Sequence, residues 1–273
     1  MRTIKQVLSD KQILSEFPNT KAEDWHRHSN GGGWVYKTAE VAKTAYVGPN
    51  ALVYGNAKVL DNARVYGWAR VFGKARVYDE AEVFGEARVY DNTIVCGKAR
   101  VYGDAWVYYK AIVCGEARVY DKALVYGNAN VFDYARVYGR AIVCGKARVY
   151  GKANVFDKSR VYGKARVYGG AMVFGNARVY GNTNVYDNAK ISDKVRLSGG
   201  DWKDSPFYEE GTMWPCYMTS KSHFAIGCES HTFEEWRKIQ SELEIKNNMT
   251  EKQCLEYRTY LDIAEKMYGE TNK

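Results

Sequence analysis

The chain has 273 residues and a net charge of +8, with 40 Lys and Arg against 32 Asp and Glu. Its hydrophobic content of 46% fits a soluble globular protein. No apolar run reaches the roughly 18–20 residues of a membrane-crossing helix, and the excess of cations admits an anionic partner without naming one.

The opening stretch, MRTIKQVLSDKQILSEF, scatters charge where a secretory signal would carry its apolar core. The expectation is therefore a cytoplasmic protein. In that compartment Cys96, Cys114, Cys144, Cys216, Cys228 and Cys254 are expected as reduced thiols. None of them forms a CxxC pair of the kind that holds zinc. Within residues 1–38, SDKQILSEF reads as one short helix and HSNGGGW, His28–Trp34, as a tight or flexible link. The segment reads as an N-terminal cap, with Trp25 and Trp34 covering the open end of a repeat that starts at residue 39.

From Ala39 a small residue returns every six positions through Ala189, and the last word opens with Val195. Residues 39–200 thus hold 27 six-residue words without an insertion or deletion. The first and third letters, Ala and Val, stand two apart and share one face of an extended strand. The second and fourth letters face outward. The fifth is Gly in 16 words and Asp in eight; both residues accept positive φ or make local turn hydrogen bonds. Short strands separated by frequent turns describe a coil.

The words pair an aliphatic residue with a small one four positions later, as in Val65 with Ala69 and Val101 with Ala105. In this they resemble the hexapeptide-repeat family. One letter differs: the family's Gly usually follows the aliphatic residue directly. Here an aromatic intervenes, except in VGPN, Val47–Asn50. The resemblance implies an all-β solenoid, a left-handed parallel β-helix with three words to each triangular coil. It would have about nine coils and be about 40 Å long at the usual strand spacing.

Residues 201–273 break the repeat and read as a small C-terminal α+β unit, a cap or an oligomerisation unit. CYMTSKSHFAIGC suggests two strands around SKS. Thr232 with Glu235, and Thr250 with Gln253, carry the capping-box spacing of helix starts. Cys254, Tyr257, Leu261, Ala264 and Tyr268 then form a core-facing stripe at helical spacing. The stretch IGCESHTFEEW resembles the tails of uncharacterised bacteriophage hexapeptide proteins, which implies a phage origin and, with it, action on a component of the host.

Most members of the hexapeptide family are acyltransferases that use a histidine as general base. The repeats contain no histidine; His26, His28, His223 and His231 all lie in the flanks. The three-histidine metal site of the family's carbonic anhydrases has no donors in the coils. His26 and His28 read as solvated or capping residues. Cys228 and His231 form a conceivable nucleophilic pair, but a buried thiol near a helix start is the expected reading. Neither a metal nor a cofactor is expected.

Residues 18 apart should stack on one face. The second face carries Arg100, Arg118 and Arg136 beside Tyr102, Tyr120 and Tyr138. Tyrosine rings there can stack on guanidinium planes, or the row can hold phosphates, nucleotides or an acidic protein. Along the edge between the first and third faces the arginine positions become Ile94, Trp106, Ile112, Leu124 and Ile142. That band marks a subunit or partner interface, and the family's habit implies a homo-oligomer, a trimer before other states. The reading is a non-catalytic binding protein that holds or sequesters an anionic ligand such as a nucleotide signal, or blocks a host protein. A divergent acyltransferase and a structural scaffold are the alternatives.

Overall fold

The computed structural model describes residues 9–192 and 194–269. Each word forms one two-residue strand, from Glu40–Val41 to Arg196–Leu197. Every such strand pairs in parallel with strands one coil away. Arg118 therefore lies between Arg100 and Arg136, and Val119 between Val101 and Val137. Three sheets close a parallel β-solenoid of about nine turns. The first runs from Glu40–Val41 to Asp201–Trp202, and the second from Tyr46–Val47 to Lys190–Ile191. The third runs from Trp34–Tyr36 to Arg196–Leu197.

The interior is a column of small and branched side chains. Ala99, Val101, Ala105, Val107 and their equivalents are 0% exposed along the solenoid. Each sealed Val contributes about 1.5 kcal/mol of apolar burial. Where the small letter is polar, the backbone answers it: the Ser159 hydroxyl donates to the carbonyls of Phe156 at 2.7 Å and Val173 at 3.0 Å.

The corners explain the fifth letter. Gly73 has φ +70°, and a Cβ added there would stand 2.8 Å from the Asp91 nitrogen in the next coil. Aspartates take the same left-handed backbone, with φ from 53° at Asp61 to 61° at Asp91. Their carboxylates offset the strain by accepting from the amide one coil on. Asp79 Oδ2 meets the Gly97 N–H at 2.9 Å, and Asp133 Oδ2 meets that of Gly151 at 3.1 Å.

The solenoid is longer than the readable repeat. Gly33–Thr38 is a disguised word: Gly33 takes the small position, Val35 is 1% exposed, and Trp34 pairs with Leu52. A Cβ on Gly33 would meet the Gly48 carbonyl at 2.4 Å. At the far end Trp202 fills the Val position opposite Val185 and is fully buried. The N-terminal cap adds Trp25–Arg27 antiparallel to Trp34–Tyr36. Its helix α1, Asp10–Glu16, is closed by a Ser9–Gln12 capping box. Trp25 and Trp34 are buried, but against Ile13 and Leu52 on the outer side of the third sheet. They form a cluster separate from the solenoid interior and do not plug its open coil.

The C-terminal unit joins a four-stranded antiparallel sheet to two helices, α2, Phe233–Lys246, and α3, Glu251–Tyr268. Both expected capping boxes are present. Pro215–Met218 and His223–Ile226 flank SKS, and Tyr208–Glu210 and Glu229–Thr232 complete the sheet. Tyr257, Leu261 and Ala264 of the stripe are buried. The Tyr257 hydroxyl accepts from Met213 N at 2.8 Å and Trp214 N at 2.7 Å. The unit rests on the last coil, where Ser198 N donates to Thr219 O at 3.0 Å. No helix among the described residues is long and apolar enough to cross a membrane.

Candidate anion-binding faces

The fourth letter builds ladders of rings. On the second sheet Tyr66, Phe84, Tyr102, Tyr120, Tyr138, Phe156 and Phe174 stack with centroids 4.7 to 5.1 Å apart and ring planes within 6° of parallel. Burial in the stack holds Tyr102, Tyr120 and Tyr138 above the ordinary tyrosine range, so they stay neutral donors. On the third sheet Cys144 stands in the ladder position between Tyr126 and Tyr162. A hydrogen bond with its sulfur, then burial, pushes Tyr126 up to about 12.

This geometry changes the expected role of the tyrosines. The ring faces of Tyr102, Tyr120 and Tyr138 are occupied by their neighbours in the ladder. Guanidiniums lie over rings at other places: Arg64 over Tyr46 and Tyr66, both at 5.4 Å, where the second-sheet ladder starts, and Arg88 over Trp106 at 4.8 Å, a second-letter ring outside the ladders. Arg100, Arg118 and Arg136 are brought together in register and are exposed. Arg100 and Arg64 share Glu82, at 3.5 and 3.8 Å. Arg118 and Arg136 make no ion pair among the described residues.

Two further arginine rows went unread in the sequence. Arg160, Arg178 and Arg196 stack on the third sheet, beside the Tyr162–Tyr180 pair at 5.0 Å. Arg148 and Arg166 stack on the first sheet, beside Tyr150–Tyr168 at 4.9 Å. The signal was a running sum of charge along the repeat. Residues 39–133 hold 12 Lys and Arg against 11 Asp and Glu, whereas residues 134–200 hold 13 against three. The positive charge of the solenoid belongs to its later coils, and its arginines face all three sides.

The apolar band splits in two. Trp106, Leu124 and Ile142 stack on the third sheet, and Ile94 and Ile112 on the first. The corner between them carries Asn92, Lys110 and Asn128, with Tyr109 58% exposed. Trp106 is 37% exposed and the other four are half-buried. The C-terminal unit seats on the last coil and leaves this stretch uncovered.

Two cysteine expectations are corrected. Cys96 and Cys114 form a disulfide, because the 18-residue spacing sets their Cα atoms 4.7 Å apart on neighbouring coils. Cys228 is exposed, since it follows Gly227 at the tip of a hairpin rather than in the core. The histidines stay apart. His28 is buried, and its Nδ1 accepts from Asn30 N at 3.3 Å, which makes it part of the cap. His223 Nδ1 bonds the Ser222 hydroxyl at 2.9 Å, and His231 lies 3.4 Å from Glu229 and edge-on to Trp236. Among the described residues no group of three or more His, Cys, Asp or Glu is placed to hold a metal ion.

No model of a known protein family matches this chain, and no curated protein matches it.

Proposed function

We propose that this is a non-catalytic binding protein whose solenoid holds an extended anionic partner. The observation that carries the reading is the run of cations over residues 134–200, extended by Arg118 one coil before Arg136, with almost no acid to answer it. Among the described residues the ion pairs of those later coils are Lys194–Glu210 and Lys203–Asp187. Arginines about 4.8 Å apart along a flat sheet present a comb of paired donors. Neutral tyrosine hydroxyls beside them supply further hydrogen bonds. A polyphosphate, a nucleotide or an acidic protein surface meets the same chemistry.

Fluorescence anisotropy of a labelled inorganic polyphosphate tests this reading. Binding should saturate at about 50 mM salt and weaken about tenfold or more by about 200 mM, as counterion release requires. Replacing Arg118, Arg136, Arg160 and Arg178 together by Ala should abolish it. Unchanged affinity in that variant overturns the proposal. A second reading rests on the uncovered Trp106–Leu124–Ile142 stripe, which suits association of two or more copies. Native mass spectrometry of the intact chain, compared with Trp106→Glu, separates a monomer from an oligomer.

A further inference from the structure

Outside the solenoid, α2, the Gly227–Cys228 turn and the start of α3 enclose a cavity of about 260 Å³. Its walls are largely apolar and aromatic: Trp214, Ile226, Trp236, Leu243, Met249 and Tyr257. Most of the polar groups around it are spent. Trp236 Nε1 donates to Phe224 O at 2.7 Å, and the Tyr257 hydroxyl is held by Met213 and Trp214. Glu244 is clasped by Arg258 through two hydrogen bonds of 2.8 and 2.5 Å.

Gln240 is the exception. It is 9% exposed, lines the cavity, and its Nε2 is sealed from solvent with no hydrogen-bond partner among the described residues. Buried amide nitrogens in folded proteins are nearly always paired. A leucine would pack this helix face without that cost. A half-turn about the terminal torsion exchanges the amide nitrogen and oxygen in the same space. That turn puts the oxygen, the more tolerant orphan, at the sealed end and releases the NH2 group from it, so a ligand's acceptor has a donor to draw on.

We propose that this cavity is a binding site for a neutral, flat aromatic or heteroaromatic molecule that carries a hydrogen-bond acceptor for Gln240. The aromatic walls fit a ring system, and the carboxamide fits a carbonyl or ring nitrogen. The ligand is neutral because Glu244 already has its counter-ion in Arg258, so an ion entering the cavity would be desolvated without a partner. Lys246 and Glu229, both exposed, balance each other in charge at the rim. This site is independent of the arginine faces and of the function proposed for them.

The test uses the full chain and 6-propionyl-2-(dimethylamino)naphthalene, a neutral bicyclic probe with one carbonyl acceptor. Its emission should shift to the blue and saturate at one probe per chain. Leu243→Trp, which fills the cavity, should weaken binding about tenfold or more. Gln240→Leu should weaken it about threefold or more. The quadruple arginine variant should bind the probe normally, which separates failure here from failure of the anion reading. A measurement on the unmodified chain guards against misfolded variants: bound probe should slow alkylation of Cys228 by iodoacetamide and leave Cys144 unaffected. Absence of saturable binding, full binding by Leu243→Trp, unchanged affinity in Gln240→Leu, or an unprotected Cys228 each overturns the proposal.

Discussion

Coils built from residues 39–133 and coils built from residues 134–200 bury the same letters. Val83 and Ala87 in the earlier stretch, and Val155 and Ala153 in the later one, are all 0% exposed. Their outer letters differ. The earlier coils pair Lys58 with Glu40, Lys98 with Glu80, and two arginines with Glu82. The later coils keep the arginines and drop most of the acids. The interior, the corners and the ring ladders do not call for the second-letter charges, so the proposed function assigns the charge imbalance to recognition.

The largest effect should ignore that boundary. Val83→Asp and Val155→Asp each bury a carboxylate with no counter-ion, and each should cost more than about 4 kcal/mol. Because every coil supports its neighbours, either change should lower the unfolding midpoint seen by circular dichroism, and by a similar amount. A difference above about 1 kcal/mol between the two variants would mean the halves differ inside as well as outside.

That inner column is also what the sequence made plain. A six-residue period and a two-residue pleat sort Ala and Val inward without any knowledge of contacts, and they mark Asp79 or Gly73 as corners. Trp34 escaped because Gly33 hides the small letter of its word. The Cys96–Cys114 bond was legible in the 18-residue spacing, yet an argument from cell compartment outweighed the geometry. The Arg–Tyr stacking failed for a different reason: a ring has two faces, and in a ladder both belong to other rings. The cavity beside Gln240 depends on how two helices and a hairpin meet, which no local pattern encodes.

The disulfide lies in the earlier coils, and the later coils hold only the free Cys144. Replacing Cys96 and Cys114 by Ser should remove at most about 3 kcal/mol, the value for a loop of similar length. Hydrogen exchange should quicken around residues 94–114 and stay unchanged beyond residue 134. A loss of protection throughout would show that the two halves unfold as one unit.

The tyrosine ladders cross the boundary, so alkaline pH should strain both halves together. Burial raises Tyr102 and Tyr120 in the middle coils and Tyr138 and Tyr162 in the later ones. An unfolded chain releases these protons first, near pH 10. Between that pH and the higher folded values the native state binds more protons, and stability falls as pH rises. Below about pH 10 the contribution is complete. Melting temperatures should therefore hold level from neutral pH to about 9 and drop above about 10. A level profile through about pH 11 would contradict the burial assigned to the rings.

The smallest effect separates the halves most sharply. Arg100→Ala removes one of two cations from Glu82, whose side chain is only 17% exposed. Arg64 and the Tyr66 hydroxyl, 3.3 Å away, still answer that carboxylate, so the cost should be about 0.5–1 kcal/mol. Arg160 pairs with no acid among the described residues, and it sits directly over Arg178. Two unit charges about 4.8 Å apart in water repel by about 0.9 kcal/mol before screening. Removing one should stabilise the solenoid by a few tenths of a kcal/mol at low salt, less the packing of its lost stem. That gain should vanish near 1 M salt, where the Debye length is about 3 Å. Thermal melts of both variants at low and high salt read the difference directly. If Arg160→Ala instead costs more than about 1 kcal/mol at both salt levels, the later arginines hold the coils together, and the imbalance of charge loses its force as evidence for a partner.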